Sequence, residues 1–400
     1  MEAAAHADAH HHHHHGEEIE LNPATWSDPK RYAWLLGLVV PFAPFIAWGI
    51  VTATGFDFFW LFGPLLVFAF FPLLDIAIGV DPSNPPDSVL KWLEQDRYYR
   101  WCTYLFIPVQ YAGLVFACWL WSSGDLSVLN SIGLALTMGV VAGIGINTAH
   151  ELGHKRASLE KWLSKVALAQ TGYGHFFIEH NRGHHVRVAT PEDPASSRLG
   201  ESFWAFLPRT VAGSVRSAWG IERERLGRSG ISAWSWRNDI LQAWAMTVIL
   251  FAALTAIFGL VVLPYLLLQA LGFSLLEVVN YLEHYGLLRQ KKEDGRYERC
   301  LPEHSWNSNN VASNVLLYHL QRHSDHHANP TRRYQALRHV KEAPQLPTGY
   351  AGMIVLAWFP PIWRRVMDPR LLEHYEGDVA RANIQPRARK RVLARYGASA

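Results

Sequence analysis

Half of the 400 residues are apolar, and the 17 tryptophans and 19 phenylalanines fall largely in long runs, a distribution that excludes two or three ordinary soluble domains and points to a membrane. A formal net charge of +3, scattered along the chain, is too small to argue for nucleic acid. Cys102, Cys118 and Cys300 form no C-x-x-C pair, which excludes a disulfide framework and a cysteine-held iron.

Residues 1–32 read as a tail, in which His10 to His15 is an affinity tag or disordered run and stays out of any metal count. Residues 34–53 are apolar throughout and long enough to cross about 30 Å of hydrocarbon as one helix. A second span, 58–80, contains Pro64, Pro72 and Asp75 and makes a hairpin with the first. After a polar connector, spans 101–121 and 126–147 form another hairpin; the fourth is rich in small residues and runs straight into His150. A mostly polar insertion, 155–239, precedes spans 240–259 and 260–280, and the sixth ends at His284. Residues 291–400 are polar and mixed. The expectation is an all-α integral membrane protein: six transmembrane helices within 33–290, with the insertion and the C-terminal region completing a histidine-rich site on the cytoplasmic side. No Lys or Arg lies in the links after spans one, three and five, so the positive-inside rule puts both termini in the cytoplasm.

The histidines fall in three clusters: His150 and His154; His180, His184 and His185; His323, His326 and His327. Each offers two imidazoles three or four residues apart, which share a helix face and can bite one ion. The extra histidine beside the last one in the second and third clusters is turned about 100° away, which suits two metals. His284 makes nine imidazoles, more than the six or so that one ion takes. Structural zinc needs four ligands and hydrolytic zinc three plus water, whereas a two-metal redox site with open positions employs nearly all nine. Iron activating dioxygen is the natural candidate. Glu151, Glu179, Glu283 and Asp325 neighbour these histidines and are candidates to orient imidazole N–H groups. Asp75 and Glu277 are costly in lipid and suggest function; His175 and His319 read as buried neighbours of the clusters.

The chain resembles the integral-membrane alkane 1-monooxygenases, bacterial alkane ω-hydroxylases of the membrane di-iron superfamily that includes the fatty-acid desaturases. The resemblance covers almost everything after the tail. It is densest in His150-Glu151-Leu152-Gly153-His154-Lys155, in Glu179 to His185 continuing through Ala189 to Pro194, in Asn280 to Gly286, and in Leu320 to His327. The Asn280-Tyr281-Leu282-Glu283-His284-Tyr285-Gly286 stretch favours the hydroxylases. The resemblance implies a non-heme di-iron enzyme of the bacterial inner membrane that converts medium-chain n-alkanes to 1-alkanols with O2 and two electrons from rubredoxin, itself reduced by an NADH-dependent reductase. It carries over the nine histidines as iron ligands, with no further catalytic residue required. The donor must be a separate protein or a fused domain, and the basic stretch 387–395 reads as a linker, a docking patch or a plain membrane-proximal face. Trp60, near the outer end of span two, is a candidate cap on substrate length, an interfacial aromatic being the plainer reading. Two other functions stay open: a fatty-acyl desaturase or hydroxylase, and an intramembrane zinc metalloprotease built on His150-Glu151-x-x-His154.

Overall fold

The computed structural model describes residues 26–397, so the His10–His15 run lies outside the described residues. Apolar chain in lipid must satisfy its backbone internally, and the regular structure described is helical apart from isolated bridges. Five helices are long and apolar enough to span: α2 (Asp57–Ile78), α3 (Arg97–Ser122), α4 (Val128–Gly153), α8 (Asp239–Phe258) and α9 (Leu260–His284). The sixth span, α1, is not the straight helix expected over 34–53. It bends by 66° between Ala33–Val39 and Ala43–Thr54, where Pro41 and Pro44 remove amide donors and crowd the preceding turn. Pro72 acts similarly in α2: the ring crowds the carbonyl four residues back, and the chain widens into a π turn over Leu66–Phe70.

The bundle is organised around α4. Its glycines permit near backbone contact with α9: a Cβ on Gly143 would stand 2.7 Å from the Gly272 carbonyl. On the other side, a Cβ on Gly63 of α2 would stand 2.8 Å from the Thr137 backbone. Close approach of three helices leaves α4 largely buried and holds His150, near its end, in the interior.

Two further segments, from the mostly polar stretches 155–239 and 291–400, pack between the spans from the histidine-bearing end. The first is α5 (Ser158–Ala169). Its end carbonyls lack helical partners and are met by side chains from three spans: Tyr111 Oη donates to Val166 O at 2.5 Å, Gln269 Nε2 to Gln170 O at 2.8 Å, and Thr247 Oγ1 to Ala169 O at 2.7 Å. Irregular backbone at membrane depth is tolerated where protein supplies such partners. Leaving the Gln170 carbonyl unpaired by Gln269→Leu is expected to destabilise the protein by about 1–3 kcal/mol, read as a lowered Tm in detergent.

The second is a hairpin of α12 (Tyr350–Ala357) and α13 (Pro360–His374). Gly349 packs on Asp75 of α2, whereas Trp358 meets Phe68 edge-on with ring centroids 4.7 Å apart. Those two residues of α2 are seven apart, so α12 descends roughly 10 Å into the bundle. α13 then climbs back, tied to the end of α9 by Tyr285 Oη donating to Asp368 at 2.7 Å. Eight apolar residues cannot register as a span on a window near 20, which is why the hairpin was hidden within a polar tail.

Intramembrane Asp75 and Glu277 have structural partners. Asp75 accepts from Ser313 N at 2.9 Å and Ser313 Oγ at 2.5 Å, fixing the start of α10 (Val311–Leu316). Glu277 accepts from Tyr173 Oη at 2.7 Å and Thr210 Oγ1 at 2.8 Å, joining α9 to the turn after α5 and to α7 (Phe203–Gly227).

Candidate metal centre

The nine imidazoles come from four places: α4, the short helical segment 176–187 (α6), the end of α9, and α11 (His323–Ala328). They gather into two groups, each with its ligand atoms within 4.8 Å of one another. His150, His154, His180, His185 and His326 form one; His184, His284, His323 and His327 form the other. The groups adjoin where the His185 and His327 rings face each other at 4.4 Å.

Local helix geometry explains the partition. His150 on α4 and His154 at its C-cap, and His323 and His327 on α11, are i, i+4 pairs and each pair serves one group. In the second cluster the i, i+4 rule fails: His180 shares its group with His185, five residues on, and His184 joins the other. The residues Glu179–His184 form a π turn, whose i→i+5 spacing stacks residues five apart. Gly183 makes room for it, since a Cβ there would stand 2.6 Å from both Glu179 carboxylate oxygens.

The donor set fits metal ions. The Nε2 atoms of His150, His154, His184, His284 and His326 are buried with no hydrogen-bond partner among the described residues. The remaining four face only one another: His180 Nε2 lies 3.1 Å from His185 Nε2, and His323 Nε2 lies 2.8 Å from His327 Nε2. With metal–nitrogen bonds near 2.1 Å, ligands at a right angle stand about 3.0 Å apart. Burial, reinforced by neighbouring imidazoles, holds His180, His185, His323, His326 and His327 well below the usual imidazole range, so their lone pairs are free at neutral pH.

Of the four carboxylates named as candidates, Glu283 is the one beside a ring nitrogen: its Oε2 lies 2.6 Å from His323 Nδ1, a charge contact without hydrogen-bond alignment, and accepts from Tyr350 Oη at 3.1 Å. The other three have different partners. Glu151 is held by Lys155 at 3.1 Å and the Tyr334 amide at 3.2 Å. Asp325 takes Arg332 Nη1 at 2.9 Å and the Arg338 amide at 2.9 Å, bracing α11. Glu179 pairs with Arg187 at 3.0 Å, and burial pushes its carboxyl up to about 7 although Ser217 and Arg187 oppose it. The carboxylate that sequence reasoning missed is Asp193, whose Oδ2 accepts from His184 Nδ1 at 2.6 Å and from Ser196 Oγ at 2.6 Å. Burial alone would raise Asp193, but His184 and Ser196 outweigh it and hold it at about 2. The only signal was its place in the Ala189 to Pro194 stretch. His284 Nδ1 is oriented by the His304 carbonyl at 3.2 Å. His319 and His175 stand apart from both groups, on the Tyr334 carbonyl at 2.7 Å and Ser214 at 3.1 Å.

A narrow, mostly apolar slot leads from the metal groups into the bundle. His150, His180 and His323 form its floor with Asn147, Asn280 and Glu283, and Val67, Phe68, Ile144, Leu275, Val279 and Ile354 are among its walls. Its volume of about 40 Å³ is room for a few waters, so a longer occupant requires wall side chains to turn. Phe68, half-buried on the widened turn of α2, is placed to do so. Trp60 does not line the slot. It packs beside Gly133, and its carbonyl accepts from Thr137 Oγ1 at 2.6 Å, about 10 Å outward along α4 from Ile144.

The family model described as fatty acid desaturase matches residues 127–357, which takes in all nine histidines. The chain is 50% identical over 377 residues to an alkane 1-monooxygenase of Acinetobacter baylyi, covering 92% of each chain. It is 48% identical over 371 residues to alkane 1-monooxygenase 1 of Alcanivorax borkumensis, again covering 92% of each. A xylene/toluene monooxygenase hydroxylase component of Pseudomonas putida is 28% identical over 240 residues, 59% of this chain. Together with two imidazole groups at the foot of an apolar slot, these likenesses establish that the chain belongs to the integral-membrane alkane 1-monooxygenases of the fatty acid desaturase superfamily.

Proposed function

We propose that the protein is a bacterial inner-membrane di-iron monooxygenase that hydroxylates the terminal methyl of medium-chain n-alkanes, using O2 and two electrons from rubredoxin reduced by an NADH-dependent reductase. The observation that carries this reading is the slot, whose floor contains imidazoles of both groups and whose walls are hydrocarbon. The nine histidines hold two irons, which supply dioxygen activation; overall, alkane, O2, two electrons and two protons give alkanol and water. An alkane offers nothing to hydrogen-bond, so the walls select by shape, each buried methylene contributing about 0.8 kcal/mol. Asp193 and the His304 carbonyl hold His184 and His284 in fixed tautomer and orientation, and Glu283 puts a carboxylate beside His323. The absence of Lys and Arg from the links after spans one, three and five supports a cytoplasmic metal-bearing end and cytoplasmic termini, an arrangement in which substrate arrives from lipid and electrons from water.

The test is product analysis with iron-loaded protein, NADH, reductase, rubredoxin, octane and ¹⁸O2. Labelled 1-octanol is expected. An alkene would favour the desaturase reading, and electron-independent peptide cleavage the metalloprotease, which the engagement of Glu151 by Lys155 and Tyr334 already disfavours. In this reading an alkane long enough to extend about 10 Å past Ile144 along α4 meets Trp60, and Trp60→Ser is expected to shift the preferred substrate toward longer alkanes; an unchanged chain-length profile removes Trp60 from the account.

A further inference from the structure

Away from the metal groups, a second cavity of about 220 Å³ lies between α13 and the C-terminal segment, with Arg364, Arg391 and Arg395 on its wall. None of the three is ion-paired with a carboxylate among the described residues; Arg395 lies over the Tyr396 ring at 5.5 Å. The one carboxylate at the cavity, buried Asp368, has both oxygens engaged by phenols, Tyr285 and Tyr396, each at 2.7 Å. Three guanidiniums against one carboxylate leave the cavity cationic. It is also a built feature. Gly200 carries φ +86°, and a Cβ on it would stand 2.9 Å from Ala388 and 3.0 Å from Val392, so the glycine lets the C-terminal segment lie flat. The Leu199 amide donates to Asn383 O at 2.7 Å and fixes that segment's start.

Depth identifies the occupant. The tip of the α12–α13 hairpin exposes Phe359 (53%) and Ile362 (47%), side chains that belong in acyl chains. Trp204, similarly exposed, donates its indole N–H to Trp358 O at 3.0 Å beside that tip. Arg364 follows one turn above the tip, where a long cationic side chain reaches the plane of lipid phosphates. We propose that this cavity binds the headgroup phosphate of an anionic phospholipid from the leaflet on the metal-bearing side. The net positive charge selects headgroups whose phosphate is not neutralised by an attached amine.

The experiment counts lipids on the protein and needs no turnover. Protein in nanodiscs of equal phosphatidylglycerol and phosphatidylcholine is released and weighed intact by native mass spectrometry. The wild type is expected to retain phosphatidylglycerol preferentially. Each arginine near the surface contributes about fivefold, so R391Q/R395Q lowers that retention roughly 25-fold, while R365Q, one residue outside the cavity, leaves it unchanged. Equal retention by R391Q/R395Q and wild type overturns the proposal, as does an equal loss in R365Q. Displacement of the lipid by millimolar inorganic phosphate would assign the cavity to a soluble anion. Unchanged lipid retention with lost rubredoxin-driven turnover would make it a dock for an acidic protein and overturn the lipid reading.

Discussion

Replacing His284 by alanine is expected to lower iron from about two to about one per chain and to abolish hydroxylation, whereas His326→Ala keeps nearer two. The difference follows from the partition of imidazoles. His284 is one of four in its group, and its loss leaves three nitrogens; His326 is one of five, and its loss leaves four. Three neutral ligands on an iron with no carboxylate in its group bind far more weakly than four. Elemental analysis should follow removal of the His10–His15 run, which would itself collect metal. Equal iron in the two variants would contradict the five-and-four partition. Zinc at one per chain without iron, from iron-replete cells, would remove the oxygenase reading altogether.

Asp193→Ala is expected to reduce iron retention against a chelator by about 10- to 100-fold, the usual cost of removing the acceptor behind a ligating histidine. Asp193 is fully buried, and its oxygens are committed to His184, Ser196 and the Ala195 amide. Removing it frees the His184 ring to turn and to adopt the other tautomer. Asp193→Asn keeps an acceptor without the charge and should recover part of the loss. Asp325→Ala serves as the comparison, because that carboxylate braces α11 through Arg332 and Arg338 rather than touching a ring. Should the two alanine variants lose iron alike, the Asp193–His184 contact carries no special weight.

Much of the site was legible in the chain, because imidazole clusters at helical spacing leave few other uses. All nine histidines of the two groups stood out, whereas nothing separated Glu283 from Glu151, Glu179 and Asp325. The assignment within the second cluster was not legible: spacing arguments assume 3.6 residues per turn, and the π turn over Glu179–His184 exchanges the roles of His184 and His185. Asp193 lies nine residues from His184 and reaches it only because the chain folds back. Five of the six spans emerged close to their observed bounds, since length and hydropathy are set by bilayer thickness. The bend in α1 was signalled by Pro41 and Pro44, while α5 and α12 escaped because neither is long or apolar enough to register.

The depth of α5 and α12 bears on the order in which the protein is assembled. Segments of 12 and 8 residues cannot enter a bilayer unaided, because their ends would present unpaired backbone to lipid. They can settle only after α3, α8 and α9 have come together to supply Tyr111, Thr247 and Gln269 as partners. The segment bearing His180, His184 and His185 follows α5 directly in the chain. Those three imidazoles therefore meet their partners from α4, α9 and α11 only when α5 is seated among the spans, so completion of the nine-histidine cluster is tied to completion of the bundle.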